Sequence, residues 1–376
     1  LFRLETGIEN CLFVHTTLLP YLFGSNELKT KPTQNSIIEL RRLGIQPDII
    51  VTRAPIDLGE AVRKKISLFG SIPSDHIIEA KDVNNIYQIP INFHRQHIED
   101  IILKQFGLKV TKSNLDTWEN LIKTVENLDK EIEIALVGKY TELEDAYLSV
   151  KEALKAAGYK YNTKIKIKWV NSEDLECKTC NLKDVFKNSK GIIVPGGFGS
   201  RGIEGMIKAC EYARVNKIPY LGICLGMQIA VIEFARHVCG ISDASSREFD
   251  ELCPNPVIDL MADQKAIINK GGTLRLGNYR CQITKETLAY KDYKSEEILE
   301  RHRHRYEFNN SYKDLMSSKG LTISGVNPEA NLVEIIELEN HPHFIACQFH
   351  PEFKSRPTRP HPLFDSFIKA SIENKK

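Results

Sequence analysis

The sequence predicts an α/β protein with a doubly wound, mostly parallel sheet, and three observations carry that reading. Strand-like runs at 131–140, 164–170, 191–194 and 218–223 alternate with helical patterns at 144–157, 181–189, 202–215 and 225–238. Such alternation implies parallel strands joined by helical crossovers. Two of the runs end in glycine-rich turns, PGGFG (195–199) and GICLG (222–226), and open α/β sheets bind ligands outside the carboxyl ends of their strands. Residues 1–110 show the same mixture of short strands and helices on a smaller scale.

The first segment opens with an apolar, β-branched run at 11–18, which reads as an internal strand of a parallel sheet. Only 48–53 offers a clear second strand before residue 110. Two strands are too few to stand alone, so the segment is expected to be the tail of a larger domain that begins before Leu1. Helical patterns at 33–44, 57–70 and 92–107 end at Gly44, Gly70 and Gly107, where helix C-caps are expected. Residues 111–130 read as a linker with one helix at 115–129, and a second domain runs from 131 to 376. In it the helix 144–157 is expected to end at Gly158. Residues 250–300 look less regular, 321–350 are β-rich, and 350–376 are proline-rich and then helical.

Composition narrows the function classes. With 376 residues the chain has room for two or three domains, and 51 basic against 49 acidic residues give no general case for nucleic-acid or membrane partners. The run 11–23 is broken by His15, Thr16, Thr17 and Pro20, well short of a membrane span. Nine cysteines without a framework point to free thiols in a reducing, cytoplasmic setting. Cys177 and Cys180 form a CxxC pair with no second pair to complete a zinc site.

GICLG has the form of a nucleophile elbow with Cys224 in the nucleophile position. Gly222 is expected to let the strand turn sharply and Gly226 to let substrate approach. The helix that follows would aim its N-terminus at the thiol and favour the reactive form. A buried free cysteine is otherwise a plain apolar filler. A nucleophile needs a base and the base an orienter. His350 and Glu352 in CQFHPEF supply both, facing the same way if the segment is extended. The glycines of PGGFG leave backbone N–H groups open for an oxyanion.

PGGFG, LGICLGMQ and CQFHPEF together resemble a class I glutamine amidotransferase domain. ALVGKYTELEDAYLSVKEAL, GGTLRLG, RHRHRYEFNN, VEIIELENHPHFIACQFHPEFKSRP and KTKPTQ extend the likeness over essentially the whole chain, to the CTP synthase family. The resemblance implies a class I glutamine amidotransferase fold over 131–376, preceded by the C-terminal part of a synthetase (amidoligase) domain over 1–110. It makes Cys224 the glutaminase nucleophile, His350 its base and Glu352 the orienter. Gly197, Leu225, Gly226, Met227 and Gln228 would line the glutamine pocket, with Glu248 and Arg305 on the α-ammonium and α-carboxylate. Here SREF (246–249) stands where the family more often has STEF, so Arg247 is a departure.

The same resemblance assigns Lys29, Thr30, Lys31, Pro32, Thr33, Gln34 and Lys65 to UTP and to CTP feedback. It gives Thr273 and Arg275 to a lid linked to GTP activation. It implies glutamine, UTP and ATP as substrates, Mg²⁺ with ATP, a homotetramer, and a place in pyrimidine nucleotide synthesis. No cofactor is covalently bound and no metal ligand set is visible in the sequence. No G-x-x-x-x-G-K-[ST] stretch occurs in the chain, so synthetase chemistry is not assigned to any residue. Another glutamine-dependent amidotransferase, or a truncated regulatory or assembly subunit, are the alternative readings. His302 and His304 in RHRHR share a face if extended, yet no third ligand lies near them in sequence.

Overall fold

The computed structural model describes residues 1–109, 113–260 and 274–374. They form two compact units, Leu1–Glu126 and Asn127–Lys376.

In the first unit, strand Ile49–Ala54 lies between the parallel strands Val14–Leu18 and Ile77–Lys81. The run at 11–18 is therefore an edge of the described sheet rather than an internal strand, and Val14 and Leu18 are exposed. The third strand, IIEAK, escaped notice because it is short and half polar. Alternate residues of Ile49–Ala54 bury both faces. Ile50 and Ala54 meet Ile37 and Ile66, while Ile49 and Val51 meet Phe93 and Ile102.

Helix Lys31–Arg42 starts earlier than expected, with Pro32 in its first turn, where a missing N–H costs nothing. Helix Glu60–Gly70 keeps Gly70 inside it, and the left-handed residue after it is Ser71, φ 50°. The pattern at 92–107 is two helices, Ile89–His94 and Ile98–Gln105, broken at His97, φ 59°. Helix Asp116–Glu126 falls in the first unit, where it buries Leu121 and sets Trp118 6.1 Å from the Tyr87 ring.

Among the described residues the main sheet of the second unit has nine strands. In spatial order they are Glu297–His304, Arg275–Ile283, Leu321–Asn327, Leu332–Leu338, Phe344–Cys347, Tyr220–Ile223, Ser189–Val194, Lys130–Gly138 and Thr163–Asn171. The last five are mutually parallel and the first four extend them antiparallel. The segment that looked irregular, 250–300, supplies two of the antiparallel strands. Helices Ile203–Asn216 and Leu225–His237 cover one face of the sheet. Helices Leu148–Lys160 and Pro362–Glu373 cover the other. A small second sheet joins Ala244–Ser246, Asn255–Leu260 and Tyr306–Phe308. Among the described residues no helix is long and apolar enough to cross a membrane.

Gly158 does not end its helix. The helix runs to Lys160, after a 3-10 turn at Glu144–Tyr147, and the expected helix at 181–189 shrinks to Leu182–Val185. Gly158 is there for contact: a Cβ would lie 2.5 Å from the Thr163 carbonyl oxygen and 2.6 Å from Ile165 Cγ1. Alanine is the better helix former by about 1 kcal/mol. Gly158→Ala is nevertheless expected to destabilise the protein, by about 1–3 kcal/mol of overpacking. A lowered urea midpoint at unchanged m-value would register it.

Candidate active site

Two parallel neighbours, Tyr220–Ile223 and Phe344–Cys347, set the site. Their register pairs Ile223 with Cys347, so the residues beyond both carboxyl ends emerge side by side. The Cys224 N–H donates to the Cys347 carbonyl at 2.7 Å. Cys224 then adopts φ 51°, ψ −100° before helix Leu225–His237 begins. A side chain held in that region is strained, and such strain gathers at functional sites.

The flanking glycines work differently from expectation. Neither has a positive φ; the turn is made by Cys224 itself. A Cβ on Gly222 would lie 2.6 Å from the Gly226 carbonyl oxygen, and one on Gly226 would lie 2.0 Å from that of Val194. Both glycines let the helix start seat directly against the sheet. Gly226 therefore makes room for backbone, not for substrate.

His350 Nδ1 lies 2.8 Å from Glu352 Oε1. A carboxylate can only accept, so the proton sits on Nδ1 and Nε2 is left for Cys224. Nε2 has no hydrogen-bond partner among the described residues. The pair is not extended, as expected, but joined through the 3-10 turn Pro351–Phe353. Burial alone would lower the His350 pKa. The charge and hydrogen bond of Cys224, then those of Glu352, outweigh it and push it up to about 10. Cys224, His350 and Glu352 are all buried.

The PGGFG turn lies over this pair. A Cβ on Gly196 would stand 2.9 Å from His350 Cε1 and 3.6 Å from Cys224 Cβ, and one on Gly197 would stand 3.1 Å from Leu225 Cδ2. Only bare backbone fits so close. Sequence reasoning missed what clamps it. Lys139, just past strand Lys130–Gly138, donates from Nζ to the Phe198 carbonyl at 3.0 Å and to that of Gly199. The Gly199 N–H donates to Glu248 Oε1 at 2.9 Å. Burial pulls the Lys139 pKa down to about 8, Glu248 opposing it and Arg201 adding to it. The available signal was a lysine at the carboxyl end of a parallel strand one in from the sheet edge.

Two cavities meet at Cys224. The larger, about 400 Å³, is lined by Tyr140, Tyr147, Gly197, Arg303 and His350. The smaller, about 50 Å³, is lined by Gly197, Gln228, Glu248, Arg305 and Tyr306. The structure thus brings Gly197, Gln228, Glu248 and Arg305 together beside the sulfur. Leu225, Gly226 and Met227 form the packed first turn beneath, with Met227 fully buried.

In the first unit, Thr30 precedes helix Lys31–Arg42 and its hydroxyl accepts from Gln34 Nε2 at 3.3 Å. Thr33 Oγ1 donates to the Leu18 carbonyl and lies 2.6 Å from Thr17 Oγ1. Lys29 pairs with Glu27, whose carboxyl is held below its usual range by Lys29 first and by Lys65 in lesser part. Lys29 thus pairs with a carboxylate that also feels the charge of Lys65.

Arg275 is turned inward, between Glu307 and Glu334. Thr273 lies outside the described residues. In RHRHR, Arg301 and Arg303 are exposed while His302 and His304 are buried and bonded to each other at 2.8 Å. Among the described residues, Glu211, Glu233 and His237 stand close enough together to hold an ion. Arg214 already forks onto both Glu233 oxygens, so that cluster does not suit one.

Residues 1–108 match the family model described as CTP synthase N-terminus, and residues 142–370 match that of glutamine amidotransferase class-I. A CTP synthase of Caldanaerobacter subterraneus is 54% identical over 372 residues, covering 99% of this chain and 69% of the relative. One of Treponema denticola is 53% identical over 373 residues, again 99% and 69%. The solved glutaminase domain of Trypanosoma brucei CTPS, with bound acivicin, superposes with a TM-score of 0.61 at 38% identity. It covers 65% of this chain and 95% of that domain.

Selective alkylation follows from this geometry. Burial pushes the Cys210 and Cys347 thiols well above their ordinary range. Limited iodoacetamide treatment is expected to modify Cys224 and spare those two, and His350→Gln is expected to slow the reaction at Cys224. Peptide mass mapping reads both.

Proposed function

This chain belongs to the CTP synthase family, and on that premise we propose that its second unit releases ammonia from glutamine at Cys224. The family's reaction is a ligation in which glutamine-derived ammonia aminates UTP to CTP at the expense of ATP. The observation that carries the assignment is the strained Cys224 beside a His350 whose other nitrogen is held by Glu352.

His350, which favours its protonated form beside Cys224, holds the thiol proton while the sulfur attacks the glutamine carboxamide. The carbonyl oxygen becomes an oxyanion within reach of the Gly197 and Leu225 N–H groups. Protonated His350, stabilised by Glu352, gives its proton to the leaving ammonia. It then takes one from the water that hydrolyses the thioester, restoring the thiol. Glu248 and Arg305 hold the α-ammonium and α-carboxylate, a carboxylate for the cation and a guanidinium fork for the anion. Gln228 faces the carboxamide from the smaller cavity, and Leu225, Gly226 and Met227 form the packed turn that carries it. Lys139 acts through the turn, keeping the Gly197 amide aimed.

In the first unit, Lys29, Lys31 and Lys65 suit a triphosphate as mobile cations. Thr30, Pro32, Thr33 and Gln34 set the helix start beside them, which favours anions. UTP and the feedback ligand CTP are the proposed occupants. The family uses ATP with Mg²⁺ and responds to GTP. Among the described residues no cluster suits the ion. Assembly as a homotetramer and a cytoplasmic location complete the reading.

Cys224→Ala is expected to abolish glutamine hydrolysis while leaving CTP formation from added ammonium chloride intact in the full enzyme. Hydrolysis at the wild-type rate by that variant would sink the nucleophile assignment. Gly197→Pro, which removes one oxyanion donor and also crowds Leu225, is expected to lower kcat by at least about 10²-fold. Glu248→Gln should raise the KM for glutamine more than it lowers kcat, as a steady-state ammonia assay would separate.

A further inference from the structure

Behind the smaller cavity lies a polar cluster that the chemistry above does not use. Arg275, His302, His304, Glu307 and Glu334 are each no more than 5% exposed. Arg275 donates from Nη1 to Glu307 at 3.0 Å and from Nη2 to Glu334 at 2.8 Å. Two carboxylates against one guanidinium would leave a net charge buried, which is expensive.

The hydrogen bonds locate the missing proton. The Tyr306 carbonyl can only accept, so His304 Nδ1, 3.2 Å away, carries hydrogen. A neutral His304 then accepts at Nε2, and His302 Nδ1, 2.8 Å from it, donates. That leaves a bare lone pair on His302 Nε2. It faces Glu334 Oε2 at 3.6 Å. Neither atom has a hydrogen-bond partner among the described residues. Two opposed lone pairs in a dry site repel each other. One proton between them makes the contact attractive, draws it in, and neutralises the cluster.

We propose that Glu334 is a neutral carboxylic acid in the native protein and donates to His302. It heads an ordered chain, Glu334 to His302 to His304 to the Tyr306 carbonyl, that positions Gln228. That carbonyl also accepts from Gln228 Nε2, at 3.2 Å. The positioning half rests on reading Gln228 as a contact for glutamine.

The proton belongs on Glu334 rather than His302. Burial, and then the neighbouring His304, Arg275 and His350, hold the His302 pKa far below its usual value. Burial pushes both carboxyls up against the pull of Arg275, Glu334 to about 7 and Glu307 to about 8. Their surroundings decide between them. Glu334 faces a lone pair, whereas Glu307 Oε1 lies 3.5 Å from His304 Nδ1, a donor, which favours the carboxylate. Of the other polar neighbours, His350 is the cationic one, and its charge disfavours a proton on His302 or His304. The Cys281 thiol is pushed well up by burial, and Tyr279 meets Arg275 and His302 with its ring.

Infrared spectroscopy of the intact chain at neutral pH should show a buried carboxylic-acid carbonyl band that disappears in Glu334→Gln. A wild type without the band, or a Glu334→Gln variant that keeps it, overturns the proposal whatever the cavity binds. Glu334→Gln keeps an N–H toward His302 and should hold the KM for glutamine within about twofold. Glu334→Leu removes it and should raise that KM about tenfold with a much smaller change in kcat, the worth of roughly one hydrogen bond. Equal losses in the two variants would mean that the charge, not the proton, matters, and would also overturn it. The spectrum stands even if Glu334→Leu fails to fold. The glutamine reading itself is decided separately, by Cys224→Ala and Glu248→Gln.

Discussion

The second unit depends on one backbone hydrogen bond at the end of a parallel pair. The Cys224 N–H reaches the Cys347 carbonyl at 2.7 Å, and this last rung forces the chain to leave the sheet at a residue with φ 51°. Because the two strands are parallel and in this register, the same end of the sheet delivers Cys224 and, three residues past Cys347, His350. A slip of one residue would turn every side chain to the opposite face. The residues of the site would then no longer meet.

Close packing keeps that rung in place. The helix after Cys224 approaches so tightly that Gly226 has no room for a methyl group against the Val194 carbonyl. Tyr220, in the centre of the sheet, donates its hydroxyl to the Gly226 carbonyl at 2.9 Å and stacks on Phe344. Core and site are thus the same atoms seen from two sides. Strain at Cys224 is held by contacts that lie almost entirely within the core, consistent with over-determination of an unfavourable conformation by its surroundings.

Much of this was legible in the sequence, and the failures share a cause. Cys224, His350 and the glycine turn could be paired because each sits at a strand end with a residue type that its chemistry demands. Lys139 was overlooked because a lysine's usual place is in solvent, and nothing local says that its ammonium will be buried against two carbonyls. Locally Gly158 reads as a helix end, Gly222 as a turn residue and Gly226 as room for substrate, yet each is there for a close approach across the fold, which no local pattern encodes. Strands Ile77–Lys81 and Arg275–Ile283 mix polar and apolar residue types too freely to stand out in sequence. The buried His302 and His304 show the opposite case. Their alternation with exposed arginines is a plain strand signature, hidden by the pull of a basic run toward a metal or nucleic-acid reading.

The two cavities that meet at Cys224 give the site a direction. In the proposed roles the charged end of glutamine is anchored on the side of Glu248 and Arg305, and the acid that frees the leaving group stands on the other side. In those roles the amide nitrogen is shed on the His350 side, toward the larger cavity, whose walls include Arg303, Tyr140 and Tyr147.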